Sequence, residues 1–150
     1  MPLHRRGSEV ETMVLHHKVR VFVFRYEEQQ PHFLLLRHQP RLESRLGPVH
    51  GTVGMGEQLQ EAVLREVTEE TGLQHPSHLI DLEHFERLCF GDEGVVEWEF
   101  GYQTLGHGSV IVPGPQVAET IWANFDRAFR SLEFSQDREA LIRLQMRLRA

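Results

Sequence analysis

Residues 51–73, GTVGMGEQLQEAVLREVTEETGL, constrain this chain more than any other stretch. Glycines at 51, 54 and 56 punctuate a bend, and a helical period then runs from about Gln58 to Thr71. Gly72 suits the left-handed position that ends a helix. Wound at about 100° per residue, Glu66 and Glu70 fall within about 20° of Leu59, on the arc that faces the protein. Glu69 falls about 80° away, beside Ala62. An ordinary amphipathic helix turns its acids the other way. Two carboxylates about 5 Å apart repel by on the order of 3 kcal/mol at an effective dielectric near 20. A partly buried trio would take up protons unless a cation offset that repulsion. Arg65 is a poor remedy, standing about 40° from Glu69 and also facing Glu61 one turn earlier. A divalent ion is a better one, and hard oxygen ligands suit magnesium or manganese. Gly51 lets the backbone pass close to a ligand, so a carbonyl near residues 50 and 51 could join the metal shell. Glu57, at the helix entrance, can take part through a water.

The flanking residues supply the sheet for this helix. Met13–Tyr26 is rich in β-branched and aromatic side chains and reads as a long strand, followed by a turn over Glu27–Pro31 and a strand over Phe33–Arg37. Further strands are expected at Val49–Val53, Leu79–Phe90, Val95–Thr104 and Ala118–Phe125, with a turn at Gly91–Gly94. Ser135 is placed to cap a helix over Gln136–Arg149. Residues 1–12 read as a loose polar arm. The expected architecture is α/β (α+β), a mixed sheet covered on both sides, in one domain over 1–150.

Composition narrows the function. With 40% apolar residues the chain of 150 residues is not mainly disordered. A net charge of −6 argues against general nucleic-acid binding, though not against a small phosphorylated ligand. The one cysteine, Cys89, excludes an internal disulfide and a four-cysteine metal site, and reads as a small core side chain. No apolar run approaches the roughly 20 residues of a membrane span. The opening MPLHRRGSEVETMV lacks the apolar core of a secretory signal, so the expected location is cytoplasmic.

The spacing within residues 51–73 resembles the box of the Nudix hydrolase family: glycine, five residues, glutamate, seven residues, then Arg-Glu-apolar-any-Glu-Glu-any-Gly-apolar. Gly51, Glu57, Arg65, Glu66, Val67, Glu69, Glu70, Gly72 and Leu73 match it. Such a match arises by chance on the order of once in 10⁹ starting positions. The resemblance implies an α-β-α sandwich and a pyrophosphohydrolase that uses Mg2+ or Mn2+ to direct water onto a phosphorus of a nucleoside diphosphate linked to another group. It further implies that Glu66, Glu69 and Glu70 bind metal, with Glu66 placed in some members to act as base. Glu57 would support the metal through water, Arg65 would orient the glutamates, and Gly51 would mark the loop that offers a carbonyl. Many members have a second glycine where this chain has His50; its carbonyl can still bind metal, while its side chain narrows the site. The run Val49–Val53 with Gly56-Glu57 looks most like members acting on pterin or nucleoside triphosphates. Dinucleoside polyphosphates and nucleotide sugars are the alternative substrates, and a silent nucleotide-binding or regulatory module is the alternative class. A homodimer is compatible with the sequence.

Outside the box, alternation over Val95–Tyr102 puts Val96, Trp98, Phe100 and Tyr102 on one face and Glu97 and Glu99 on the other. Family members often recruit a further carboxylate, for which Glu97 and Glu99 are the first candidates and Asp92, Glu93 and Glu119 the next; a solvent-facing acidic edge is an equal reading. Arg37, His38, Arg41 and Arg45 form a basic stretch that could meet substrate phosphates or could be a solvated loop. His75 and His78 read as a surface turn. Arg138, Arg143, Arg147 and Arg149 read as the solvated face of the last helix. Trp98, Phe100, Tyr102 and Trp122 could stack a base, with core packing the main expectation. A covalent intermediate has no evident nucleophile.

Overall fold

Strand β1, Val14–Glu27, is buried without a break from Val19 to Phe24, as a central strand covered on both faces must be. It is part of a computed structural model that describes residues 14–106 and 110–150, with the side chain of Glu43 outside the description. The polar arm expected over residues 1–12, and Met13, lie outside the described residues. Glu28 and Gln29 both have positive φ (51° and 68°) and turn the chain into β2, Gln30–His38. That two-residue loop is tighter than the five-residue turn expected, because paired positive-φ residues match the twist of a hairpin. β3 is Val49–Thr52, β4 is His78–Phe90, β5 is Glu93–Gln103 and β6 is Val117–Asn124.

The six-stranded sheet has the order β4-β5-β1-β2-β6, with β3 paired to β1. β1 and β5 run parallel, and the other pairings are antiparallel. One edge of β1 is shared: residues 18–21 pair with β3, and residues 24–27 pair with β2. The sheet therefore splits between β2 and β3, held at one point by the reciprocal hydrogen bonds of Leu36 and Gly47 (2.8 and 2.9 Å).

Helix α1, Leu59–Thr71, covers one face, where Val63 and Val67 pack with Val19, Val21, Leu34, Leu36 and Phe100. Helices α2, Phe125–Ser131, and α3, Ser135–Arg149, cover the other, where Leu141 and Leu144 meet Phe22, Phe24, Phe33 and Leu35. α3 crosses β5 so closely that a Cβ on Gly101 would lie 2.7 Å from Leu144. The result is the expected sandwich around a mixed sheet. Among the described residues, no helix is long and apolar enough to cross a membrane.

Some local readings change. The strand expected to reach Phe125 stops at Asn124, whose side chain accepts from the N–H of Arg127 (2.9 Å) and starts the unforeseen helix α2. Ser135 is the first residue of α3 instead of its cap, and the cap position falls to Phe134 with no side-chain bond. Cys89 is exposed instead of core, opposite Gly94 near the end of the β4–β5 hairpin, where Phe90 and Gly91 are exposed as well.

Candidate active site

Arg65 organises the entrance of α1. Its Nε and Nη2 reach Glu57 (2.9 and 3.0 Å), its Nη1 reaches Glu66 (2.7 Å) and lies 3.5 Å from Glu69, and Nη2 also donates to the Thr52 carbonyl (2.7 Å). One guanidinium thus ties the helix to β3 and to the glycine bend, where the N–H of Gly54 donates to Glu57 (2.8 Å). These bonds hold the Glu57 carboxyl down at about 2. Arg65 is a better partner than its angular position implied. The reason is that Glu61 is taken by the cap, accepting from the N–H of Gln58 (3.1 Å).

Glu66 is 8% exposed and lies over Gly51, where an added Cβ would sit 2.0 Å from its carboxyl carbon. Any side chain at 51 would evict the carboxylate. Burial pushes the Glu66 carboxyl above the usual range, and Glu69 and Glu70 add to the push while Arg65 opposes it. Glu70 is turned inward and meets His38 Nε2 at 2.8 Å, which raises the His38 pKa. The Glu69 side chain is 58% exposed. At the far end of α1, Gly72 adopts φ 79°, and the N–H groups of Val112 and Gly114 donate to the carbonyls of Thr71 (2.8 Å) and Glu70 (3.2 Å). A Cβ on Gly114 would lie 2.1 Å from the Glu69 carbonyl, so glycine is required for that approach.

At the split between β2 and β3 lies a cleft of about 480 Å³, lined mostly from the α3 side but also by Leu36 and His38. His50 and Gly51 are consecutive on β3, so one points into the cleft and the other faces Glu66. The polar wall is built on Arg20, 4% exposed, which approaches Glu97 (2.6 Å), Asp137 (3.0 Å) and Glu99 (3.5 Å). His50 Nε2 lies 3.5 Å from Asp137. Leu46, Leu88 and Phe134 supply apolar lining.

The family model for the NUDIX domain matches residues 16–145. The chain belongs to the Nudix family. Among curated proteins no relative matches it. Its fold is similar to that of a Listeria monocytogenes protein described as a NUDIX hydrolase (TM-score 0.76, 22% identity, 89% of this chain and 94% of that chain). It is also similar to a C. elegans Ap4A hydrolase in a binary complex (0.70, 17%, 89% and 97%). A third similar structure is the E. coli dihydroneopterin triphosphate pyrophosphohydrolase (0.69, 19%, 85% and 94%). The family assignment makes the chain a Nudix-type pyrophosphohydrolase.

The Nudix box thus holds Glu57, Glu66 and Glu69 around one arginine and Glu70 against one histidine. That donor set is hard, oxygen-rich and short of positive charge, and it fits magnesium or manganese. Glu97 and Glu99 are not brought to it. Strand alternation puts both on the α3 face, where Arg20 holds Glu97 and Arg143 grips Glu99 through two bonds (2.6 and 2.7 Å). The last helix's basic face is therefore not simply solvated: Arg143 leaves it to neutralise a carboxylate that is 1% exposed. His84, Glu86 and Glu99 bring ligand atoms within 4.8 Å of one another, but Arg143 Nη2 already lies 3.5 Å from Glu86.

The basic stretch divides. Arg37 and Arg41 pair with Glu119 (3.1 and 3.4 Å) and are not in the cleft lining; Arg45 and His38 are, Arg45 while paired with Glu133. Asp92 and Glu93 sit at the β4–β5 hairpin, Glu93 lying 4.0 Å from His16. His75 and His78 are exposed, as expected. Phe100 and Tyr102 are core, Trp98 donates to His17 (3.2 Å), and Trp122 lies under Arg25. None of these four aromatics lines the cleft, whereas Phe134 does. Phe134, Asp137 and Arg20 were missed. They carry no motif, and only the packing of α3 onto the sheet assembles them.

Proposed function

We propose that the chain hydrolyses a nucleoside or pterin triphosphate, releasing pyrophosphate and the monophosphate, with magnesium or manganese as its cofactor. The observation that carries the substrate class is the carboxylate wall of the cleft. Glu97 and Asp137 meet Arg20 through Oε2 and Oδ1, and both residues line the cleft, so a ligand there would meet carboxylates. A carboxylate only accepts hydrogen bonds. It therefore favours an edge with adjacent N–H donors, such as the 2-amino-4-oxo edge shared by guanine and pterin. The adenine edge, with an acceptor beside its amino group, is disfavoured. Phe134 offers a surface for the ring.

The roles follow the box. Glu66, Glu69 and Glu70 would hold the metal, with a backbone carbonyl at His50–Gly51 and Glu57 acting through water. The metal would neutralise charge on the phosphates and lower the cost of deprotonating water. Glu66, buried beside Gly51, accepts the proton as the water oxygen bonds to phosphorus and the anhydride P–O bond breaks toward pyrophosphate. Arg65 positions Glu57 and Glu66. Arg45, at the cleft, is the substrate-phosphate candidate of the basic stretch. We place this activity in the cytoplasm, in one domain.

Phosphorus-31 NMR with magnesium and a panel of GTP, ATP, dihydroneopterin triphosphate, dinucleoside polyphosphates and nucleotide sugars tests the reading. The expected result is pyrophosphate release, fastest from the guanine or pterin compound. Hydrolysis in oxygen-18 water should label one phosphate product and leave the protein unlabelled. A trapped phosphorylated or nucleotidylated enzyme would overturn the mechanism, and nucleotide binding without turnover would make the chain a silent module.

A further inference from the structure

We infer that His38, which lies outside the box, is a positioning residue for Glu70. The inference rests on the reading of Glu70 as a metal-binding carboxylate. Alternation along β2 puts Leu34, Leu36 and His38 on the α1 face, and His38 is the one of the three with a donor to offer. Its Nε2 lies 2.8 Å from Glu70 Oε1. An ionised carboxylate can only accept, so the imidazole N–H donates and occupies one oxygen while the other is left for a cation.

His38 is itself held by segments beyond its own strand. Its backbone N–H donates to Ser44 Oγ (2.9 Å), Arg37 Nη1 donates to the Ser44 carbonyl (2.7 Å), and the next N–H, of Gln39, donates to Gln116 (2.8 Å). The Glu70 backbone is fixed independently by the N–H of Gly114 (3.2 Å). Glu70 is thus clamped at main chain and side chain by two segments outside the box. Arg65, by contrast, serves Glu57, Glu66 and Glu69 and makes no contact with Glu70 among the described residues. His38 also lines the cleft, so one side chain borders both the substrate space and the metal-binding carboxylate.

Electron paramagnetic resonance of Mn2+ added alone to the full chain tests this without substrate. His38→Leu should weaken Mn2+ binding by about 10–100-fold, the usual effect of removing the group that orients a ligand. His38→Gln, whose amide N–H can reach the same oxygen, should restore most of it. In GTP hydrolysis at saturating Mn2+, the leucine variant should lose kcat with little change in KM. Wild-type Mn2+ affinity in His38→Leu, with a raised KM instead, would make His38 a substrate contact and overturn the inference. Equal losses in both variants with a lowered melting temperature would reduce it to a structural residue and also overturn it. If the wild type binds no Mn2+, the reading of the box itself fails, and the inference with it.

Discussion

Two acidic clusters stand on opposite faces of the same sheet, and they are neutralised differently. On the α3 face, Glu99 is gripped by two hydrogen bonds from Arg143, and Arg20 stands among Glu97, Glu99 and Asp137. On the α1 face, Glu57, Glu66 and Glu69 share Arg65, and Glu70 pairs with His38. A buried carboxylate with its own guanidinium is a structural element, since nothing further is required to make its charge tolerable. Glu66 instead shares its guanidinium and is pushed up in pKa by burial and by Glu69 and Glu70, which is the setting a further cation would relieve. The contrast is sharpest between Glu99, which has a guanidinium of its own, and Glu66, which shares one with Glu57 and Glu69.

The largest effect that could break this contrast is metal removal. Chelator-treated protein should lose turnover and regain it with magnesium or manganese, and full activity in metal-free buffer would abolish the distinction. Next come Glu66→Gln, Glu69→Gln and Glu70→Gln, each expected to lower turnover by orders of magnitude with the fold intact, because a neutral amide binds a hard cation poorly. Arg65→Ala should cost about 10–100-fold through misplaced glutamates. Steady-state kinetics with circular dichroism checks all four.

The Glu99–Arg143 pair on the α3 face should respond in stability instead. Among the described residues, Arg143→Ala leaves Glu99 with Arg20, 3.5 Å away, so about 3 kcal/mol should be lost. The melting temperature should then fall by about 6 °C or more, while the protein that remains folded keeps its turnover. The smallest effect has the opposite sign. Glu66 carries a raised folded-state pKa, so its ionised form costs stability at neutral pH and that cost disappears as the pH falls through the folded value. Glu66→Gln in metal-free buffer should therefore raise the melting temperature at pH 7, and the gain should shrink on acidification. A scanning calorimetry series that found Glu66→Gln as destabilising as Arg143→Ala would make the two clusters alike.

Most of the fold and the box were legible because their causes are local. The 3.6-residue period over Gln58–Thr71, the β-branched run of β1 and Gly72 act through neighbours within a turn or two, so α1 runs over Leu59–Thr71 and β1 over Val14–Glu27, close to expectation. Helix α2 was overlooked although Asn124 and Asp126 are valid start signals, because they follow a strand pattern without a break. Strand alternation separated Glu97 and Glu99 from Val96 and Trp98, but which face α1 would cover is not a local property. Arg20 and Glu97 are distant in the chain, as are His38 and Glu70; the pairing of β1 with β5 and the packing of α1 on β2 create those contacts. The sequence by itself determined the glutamates, their spacing and the helix that carries them. Only the tertiary structure decided which carboxylates are neutralised, where the cleft opens and which residues outside the box reach it, because those depend on which strands pair and which faces the helices cover.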